Sequence, residues 1–294
     1  MVHIIDGNAV AALIREDLKT QIDTLQNSGV TPGLATVLMS DDPASKTYVS
    51  MKQRDCEELG MNATDIVLDP TSSSEELFSV LDKLNSDSDV HGYLVQMPLP
   101  SHIPEQELLF HLDPMKDVDG FHPENVGLLV SGNPRYKPCT PHGIQKLLES
   151  INVDPSGKDI VVVGRSNIVG KPLANLLLQK SPGGNATVTI CHSRTRDLAN
   201  KTREADIIIT ALGVPEFITG SMVSDGVIVI DVGVNRVEDD SEKGYHLAGD
   251  VEFDSVSKKA KAITPVPGGV GPMTRAMLMY NTVQAASLQS NISL

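Results

Sequence analysis

Apolar residues at Val10, Leu13, Ile14, Leu18, Ile22 and Leu25 recur three and four apart. That spacing predicts one helix between Gly7 and Gly29 with a single apolar stripe, closed by the glycine. The short apolar run LATVLM (34–39) predicts a buried strand. DDPASK follows, with turn and N-cap chemistry, and leads into a helix that carries YVSMKQRDCEELG (48–60). ATDIVL (63–68) reads as a second strand. SSSEELFSVLDKLN (72–85) reads as a helix with serine capping and glutamate in its first turn. VHGYLVQMPLP (90–100) reads as a third strand that ends in prolines. The succession β-α-β-α-β predicts a parallel sheet.

A loop-rich stretch, HLDPMKDVDGFHPENVG (111–127), separates this block from PCTPHGIQKLLES, where Thr140 and Pro141 open a helix able to link two lobes. KDIVVVGRSNIVGKPLANLLLQK (158–180) then reads strand, glycine turn, helix. ATVTIC (186–191), ADIIITAL (205–212) and GVIVIDVG (226–233) are further β-branched strands, and SPGGNA (181–186) is a flexible turn before the first of them. The acidic stretch VEDDSEKG (237–244) reads as an exposed hairpin tip. A last apolar helix runs from Met273 to about Leu288. The fold class is α/β with two lobes. The second is doubly wound and continuous over roughly 140 to 270, and the first reclaims the C-terminal helix.

Composition narrows the class of partners. The 294 residues are 40% hydrophobic, enough for sizeable cores, and the formal charge is −14. An acidic surface repels nucleic acid and anionic membranes, so neither is expected as a partner. The N-terminal sequence lacks a basic, apolar, small-residue leader pattern, and no apolar run reaches the length of a membrane span. Cys56, Cys139 and Cys191 are odd in number and far apart, without metal spacing or a disulfide framework. A reduced, cytoplasmic protein without a metal is expected, with Cys56 in the core and Cys191 at a strand end.

The turn VVVGRSNIVGKP places Gly164 after a strand and Gly170 at the start of a helix, whose N-terminal amides suit a pyrophosphate. Ser166 stands where the dinucleotide fingerprint has its second glycine, so the turn alone is equally an ordinary strand-to-helix connection. The three strands downstream favour a dinucleotide. That pattern expects an acidic residue after its second strand to hold the ribose 2′-hydroxyl. Here the strand is followed by His192, Ser193 and Arg194, and Arg165 lies in the first turn. Guanidinium groups grip phosphate in a forked geometry, which favours NADP over NAD. The alternative is that both arginines are ordinary surface residues.

In the first lobe, Tyr48 and Lys52 are four apart and share one helix face. Gln96 ends the third strand, where ligands bind in open α/β sheets, and Asp119 precedes Gly120 in a loop. Each alone reads as structural. Together SDDPASKTYVSMK, VQMPLP, KDVDGFHPENVG, CTPHG, VVGRSNIVGKP, TVTICHSRT, VIDVGVNRV and ITPVPGGVGPMT resemble, in order and over nearly the whole chain, one family. It is the bifunctional methylenetetrahydrofolate dehydrogenase/methenyltetrahydrofolate cyclohydrolase family.

The resemblance implies oxidation of 5,10-methylenetetrahydrofolate with NADP⁺ and hydrolysis of the methenyl product to 10-formyltetrahydrofolate, within one-carbon metabolism and purine biosynthesis. It implies a folate-binding catalytic domain (1–139 plus 272–294), a Rossmann-like NADP-binding domain (140–271), a cleft between them, and a homodimer. Tyr48, Lys52, Gln96 and Asp119 become the catalytic set. Val95, Met97, Pro267, Gly268, Gly269, Val270 and Gly271 join them around the folate. Thr140, Gly164, Arg165, Ser166, Gly170, Ser193, Arg194, Gly213, Gly233 and Val234 become the cofactor set. In these roles a neutral Lys52 exchanges a proton with water, Gln96 fixes the amine and Tyr48 packs on the folate. Asp119 accepts two N–H groups of the pterin, and PGGVG lets backbone approach the flat ligand. The departures from the family pattern are a longer SPGGNA turn and Lys46, neither of which touches the named chemistry. Two other readings are a monofunctional NAD(P)-dependent methylenetetrahydrofolate dehydrogenase and a non-catalytic nucleotide-binding protein on the same fold.

Overall fold

The structure, a computed structural model, describes residues 2–241 and 244–294. In chain order the elements begin with β1 (His3–Ile4), α1 (Gly7–Asn27), β2 (Gly33–Leu38), α2 (Pro43–Leu59), β3 (Asn62–Val67), α3 (Ser74–Ser86), β4 (Gly92–Val95), α4 (Glu105–His111), α5 (Pro123–Val130) and α6 (Cys139–Ser150). They continue with β5 (Asp159–Val163), α7 (Gly170–Leu177), β6 (Thr187–Cys191), α8 (Leu198–Arg203), β7 (Ile207–Thr210), β8 (Ile228–Asp231), β9 (Asn235–Glu238), β10 (Tyr245–Ala248), α9 (Phe253–Val256), β11 (Ala262–Ile263) and α10 (Val270–Ser290). The chain divides into two compact units. One joins Leu13–Cys139 to Arg275–Leu294, the other Met1–Ala12 to Thr140–Thr274.

The first unit is built on a three-stranded parallel sheet in the order β3-β2-β4. All six residues of β2 are buried, as its uninterrupted apolar run dictates for a central strand. Ala35, Val37 and Met39 pack with Leu77 and Leu81 of α3 and with Tyr93, Ile103 and Leu108. Local sequence starts the helices. Asp42 caps α2 by accepting from Ser45 N at 2.8 Å, with Pro43 in the first turn, and Ser73 and Glu76 form a reciprocal capping box on α3. Of the predicted stripe on α1, Leu18, Ile22 and Leu25 are buried, but Leu13 is 69% exposed. Buried Asp55 of α2 accepts from Arg15 of α1 at 3.1 Å and from Arg275 of α10 at 2.8 Å, so three helices meet on one carboxylate. The stretch expected to be loop-rich contains the start of α5. Its cap is His122, which accepts from Glu124 N, and Pro123 sits at its first position.

The second unit carries a six-stranded parallel sheet in the order β1-β11-β8-β7-β5-β6. The first 12 residues, expected with the other lobe, belong here because β1 pairs with β11. Two-residue strands carry no readable period, which is why neither was predicted. The strand β5 lies between β6 and β7, so the chain runs outward from β5 to β6 and then crosses back past β5 to β7, a reversal of strand order that creates a topological switch point at the carboxyl end of β5. The predicted hairpin is present as the antiparallel pair β9–β10, and residues 242 and 243 of its tip lie outside the described residues.

Candidate active site

In the three-stranded unit the reactive side chains gather at the carboxyl end of the sheet. The helix α2 presents Tyr48, Lys52 and Cys56 at four-residue intervals on one face. Cys56 is fully buried and contacts the Met279 sulfur, Lys52 is half-buried, and Tyr48 is 40% exposed. The face thus grades from core to solvent. Gln96 follows β4 directly, and its amide continues the ladder by donating to Val37 O at 2.8 Å. Lys52 Nζ donates to Gln96 Oε1 at 2.9 Å, and Gln96 Nε2 donates to Met97 O at 2.7 Å. That pair of bonds fixes both the side-chain amide and the amine.

Asp119 completes the group. Its carboxylate interacts electrostatically with Lys52 and lies beside the thiol of Cys139, which donates to Val118 O at 3.5 Å. Burial pushes the Lys52 amine below the ordinary lysine value, against the opposing pull of Asp119, Cys139 and Asp65. Burial likewise pushes Asp119 up, with Lys52 and then the neighbouring Cys139 thiol acting the other way. Burial thus penalises the charged form of each group, while the charge of each favours the charge of the other.

The loop under Asp119 is clamped by side chains that sequence reasoning missed. Asn281 of α10 donates to Val118 O at 2.7 Å and Lys137 O at 2.9 Å. Buried Asp117 accepts from His122 N at 2.7 Å and from Asn125 at 2.8 Å. Cys139 stands in the motif PCTPHG, but its place beside Asp119 depends on a fold that brings residues 119 and 139 together. Val95 packs against the core cluster, and Met97 is half-buried beside Gln96.

The remaining predicted folate contacts, Pro267, Gly268, Gly269, Val270 and Gly271, belong to the six-stranded unit. Pro267 is exposed. Gly268 has φ +102°, and a Cβ on Gly269 would lie 2.6 Å from Pro265 O and 2.8 Å from Thr264 Cβ. The space at Gly269 is thus taken by the protein's own turn. Val270 is 4% exposed and opens α10, and a Cβ on Gly271 would meet nothing within 4 Å.

The six-stranded unit brings most of the predicted cofactor set to one edge. Gly164 and Arg165 follow β5, Ser193 and Arg194 follow β6, Gly213 follows β7, and Gly233 and Val234 follow β8, all carboxyl ends of adjacent parallel strands. Gly164 has φ +136°, and a Cβ there would lie 2.3 Å from Ala211 O. A Cβ on Gly170 would lie 2.2 Å from Gly164 O, so the two glycines let the turn fold on itself. Ser166 Oγ accepts from Val169 N at 3.1 Å and Gly170 N at 3.3 Å, while Lys171 N donates to Ser166 O. The serine in place of the fingerprint glycine thus ties the turn that enters α7, and three amides there are bonded within the turn. Thr140 lies in the first turn of α6, its hydroxyl 2.9 Å from that of Thr274.

Two arginines stand at these strand ends. Arg165 and Arg194 are exposed, and His192–Arg196, the residues after β6, carry no carboxylate. That turn is held by Thr195 Oγ1, which accepts from His192 N at 2.8 Å, and by His192 Nδ1, which accepts from Arg194 N at 3.1 Å. Among the described residues no group of three or more His, Cys, Asp or Glu side chains is placed to hold a metal ion, and no helix is long and apolar enough to cross a membrane.

Residues 5–119 match the model of the tetrahydrofolate dehydrogenase/cyclohydrolase catalytic domain, and residues 138–290 match that of the same family's NAD(P)-binding domain. The chain is 65% identical over 292 residues to Bifunctional protein FolD 1 of Haloarcula marismortui, covering 99% of this chain and 98% of that protein. The crystal structure of the bifunctional FolD methylenetetrahydrofolate dehydrogenase/cyclohydrolase of Campylobacter jejuni superposes with a TM-score of 0.92 at 47% identity, covering 98% of this chain and 99% of that one. The Trypanosoma brucei methylenetetrahydrofolate dehydrogenase-cyclohydrolase, solved with NADP cofactor and inhibitor, superposes with a TM-score of 0.93 at 38% identity over 98% of both chains. The paired domains, matched over nearly the full chain, make it a member of the tetrahydrofolate dehydrogenase/cyclohydrolase family.

Proposed function

We propose that this protein oxidises 5,10-methylenetetrahydrofolate to the 5,10-methenyl compound with NADP⁺ and then hydrolyses that product to 10-formyltetrahydrofolate. The observation that carries this reading is the bond from Lys52 to Gln96, with Asp119 beside the amine. NADP⁺ supplies the hydride acceptor. Arg165, Ser193 and Arg194 are the residues that would hold its 2′-phosphate, and the glycine turns after β5, β7 and β8 would admit its backbone.

The methenyl substrate is a cation. A charged amine about 4 Å from it would cost about 4 kcal/mol at an effective dielectric of 20, so the burial that favours neutral Lys52 favours binding and catalysis alike. Neutral Lys52 accepts a proton as water oxygen bonds to the methenyl carbon. The ammonium so formed returns a proton to N5 as the carbon–N5 bond breaks, leaving the formyl group on N10. The second proton of the water leaves to solvent, so the net reaction releases one proton. Gln96 accepts one amine N–H and thereby directs the nitrogen lone pair. Asp119 accepts N–H groups of the pterin, and the exposed Tyr48 ring packs on the folate and orients it.

We further propose a cytoplasmic homodimer. All three cysteines are free and buried, as suits a reducing compartment. The strand β3 is a sheet edge with Val67 66% exposed, a surface suited to a second copy. The activity is tested by mixing protein with 5,10-methylenetetrahydrofolate and either NADP⁺ or NAD⁺ while following reduced cofactor and methenyl absorbance. Reduced NADP with little methenyl accumulation is the expected result. Accumulating methenyl would leave only the dehydrogenase, and no reduction with either nucleotide would reject the reading.

A further inference from the structure

Two carboxylates that neither the sequence reading nor the proposed mechanism uses lie under the cofactor edge of the six-stranded sheet. Asp250 is fully buried. It accepts from three consecutive backbone amides of the loop after β7, those of Leu212 at 2.5 Å, Gly213 at 3.3 Å and Val214 at 3.0 Å, and from the side chain of Asn235 at 3.0 Å. Asp231, 3% exposed at the end of β8, accepts from Gly233 N, Asp250 N and Val251 N at 2.9 to 3.0 Å and from the Thr210 hydroxyl at 3.1 Å. One carboxylate thus anchors the backbone that carries the other.

The glycines nearby make room for this interlock. A Cβ on Gly249 would lie 1.9 Å from Asp231 Oδ2, and a Cβ on Gly233 would lie 2.3 Å from Asp250 Cγ. The loop above is tied along its length, since Glu216 N donates to Gly249 O and Ile218 N to Asp250 O, both at 2.9 Å. Its tip faces solvent, with Gly213 exposed and Val214 45% exposed. Consecutive backbone amides ordinarily make an anion-binding nest. Here the anion is the protein's own.

We propose that Asp250, braced by Asp231, is a positioning residue for the dinucleotide, holding the Leu212–Val214 loop so that it meets an uncharged part of the cofactor rather than a phosphate. With its amides turned down onto Asp250, the loop offers carbonyl oxygens and the Val214 side chain to a ligand lying at the ends of β7 and β8. Phosphate recognition then falls to the other side of the switch point, at Arg165 and Arg194. The inference rests on the dinucleotide site proposed above.

The test is steady-state kinetics of Asp250→Asn. The introduced NH₂ must face at least one of the amide donors, and one unsatisfied buried bond is enough to change affinity roughly tenfold. The KM for NADP⁺ is expected to rise by about that factor, with kcat and the KM for methylenetetrahydrofolate within about twofold. Hydrolysis of the methenyl compound, assayed without dinucleotide, serves as the folding control and is expected to be unchanged. An unaltered KM for NADP⁺, or an equal loss of both activities, overturns the assignment. If Asp250→Asn does not fold, Asn235→Ala decides alone by removing one of the four bonds, with a severalfold rise in the same KM expected and no rise overturning the proposal. Absence of dehydrogenase activity in the parent protein would instead reject the functional reading itself.

Discussion

Lys52 Nζ and Gln96 Oε1 are 2.9 Å apart, although 44 positions separate them in the chain. The amide is itself anchored on Met97 O, so the amine is held by a group that cannot take its proton. Because burial lowers the Lys52 pKa, the base form gains population as pH rises through a midpoint below 10.5. Methenyl hydrolysis, corrected for the uncatalysed rate, is expected to climb with pH over that limb and then level. Lys52→Met is expected to abolish the limb and lower turnover by about 10² or more. Equal turnover in variant and parent would remove Lys52 from the mechanism.

Asp119→Ala is expected to weaken folate binding by about tenfold or more, the range for bonds to a charged acceptor, and to leave NADP⁺ affinity within about twofold. Titrating each ligand separately distinguishes the two effects. Folate affinity equal to that of the parent would refute the pterin contact.

Arg165→Ala is expected to lower the ratio of kcat/KM for NADP⁺ to that for NAD⁺, chiefly by weakening NADP⁺. The guanidinium is exposed, and a guanidinium can grip a phosphate in a forked geometry that lysine does not reproduce. An unchanged ratio would shift the 2′-phosphate contact to Arg194, and the same measurement on Arg194→Ala would show it.

Gly164→Ala combines a left-handed φ of +136° with a methyl 2.3 Å from Ala211 O, so a loss of roughly 2 to 5 kcal/mol is expected. Gly127 offers the contrast. It lies within α5 and a Cβ there would meet nothing within 4 Å, so Gly127→Ala is expected to stabilise by about 0.5 to 1 kcal/mol. Denaturant unfolding of both variants checks the pair, and a Gly164→Ala protein as stable as the parent would contradict the crowding argument.

The net charge of −14 repels itself across the folded surface. The screening length falls from about 10 Å at 0.1 M salt to about 3 Å at 1 M. The thermal midpoint is therefore expected to rise between those concentrations of potassium chloride. A flat or falling midpoint would show that favourable ion pairs, such as Arg15 and Arg275 on Asp55, outweigh the repulsion.

Features written within a few consecutive residues were legible. The Ser73–Glu76 box, the Asp42 cap, the buried run of β2 and the glycine turn at Gly164 are each specified by local sterics and hydrogen bonding. Motifs in order were enough to name the family and the residues of the proposed site. Other roles have no local signal. Asp231 and Asp250 look like any strand-end aspartates until β8 and the segment after β10 lie side by side. Leu13 fits the apolar stripe of α1 yet is exposed, because a period says which residues share a face and not how far the covering core extends. The strand β1 exists only because β11 is beside it. Sequence alone determined the longer elements, the succession of two α/β blocks and the chemistry available, because these follow from bonds and spacings within a turn or strand. Tertiary structure decided which amine meets which amide, and which carboxylates are buried, because those depend on packing between segments tens of residues apart.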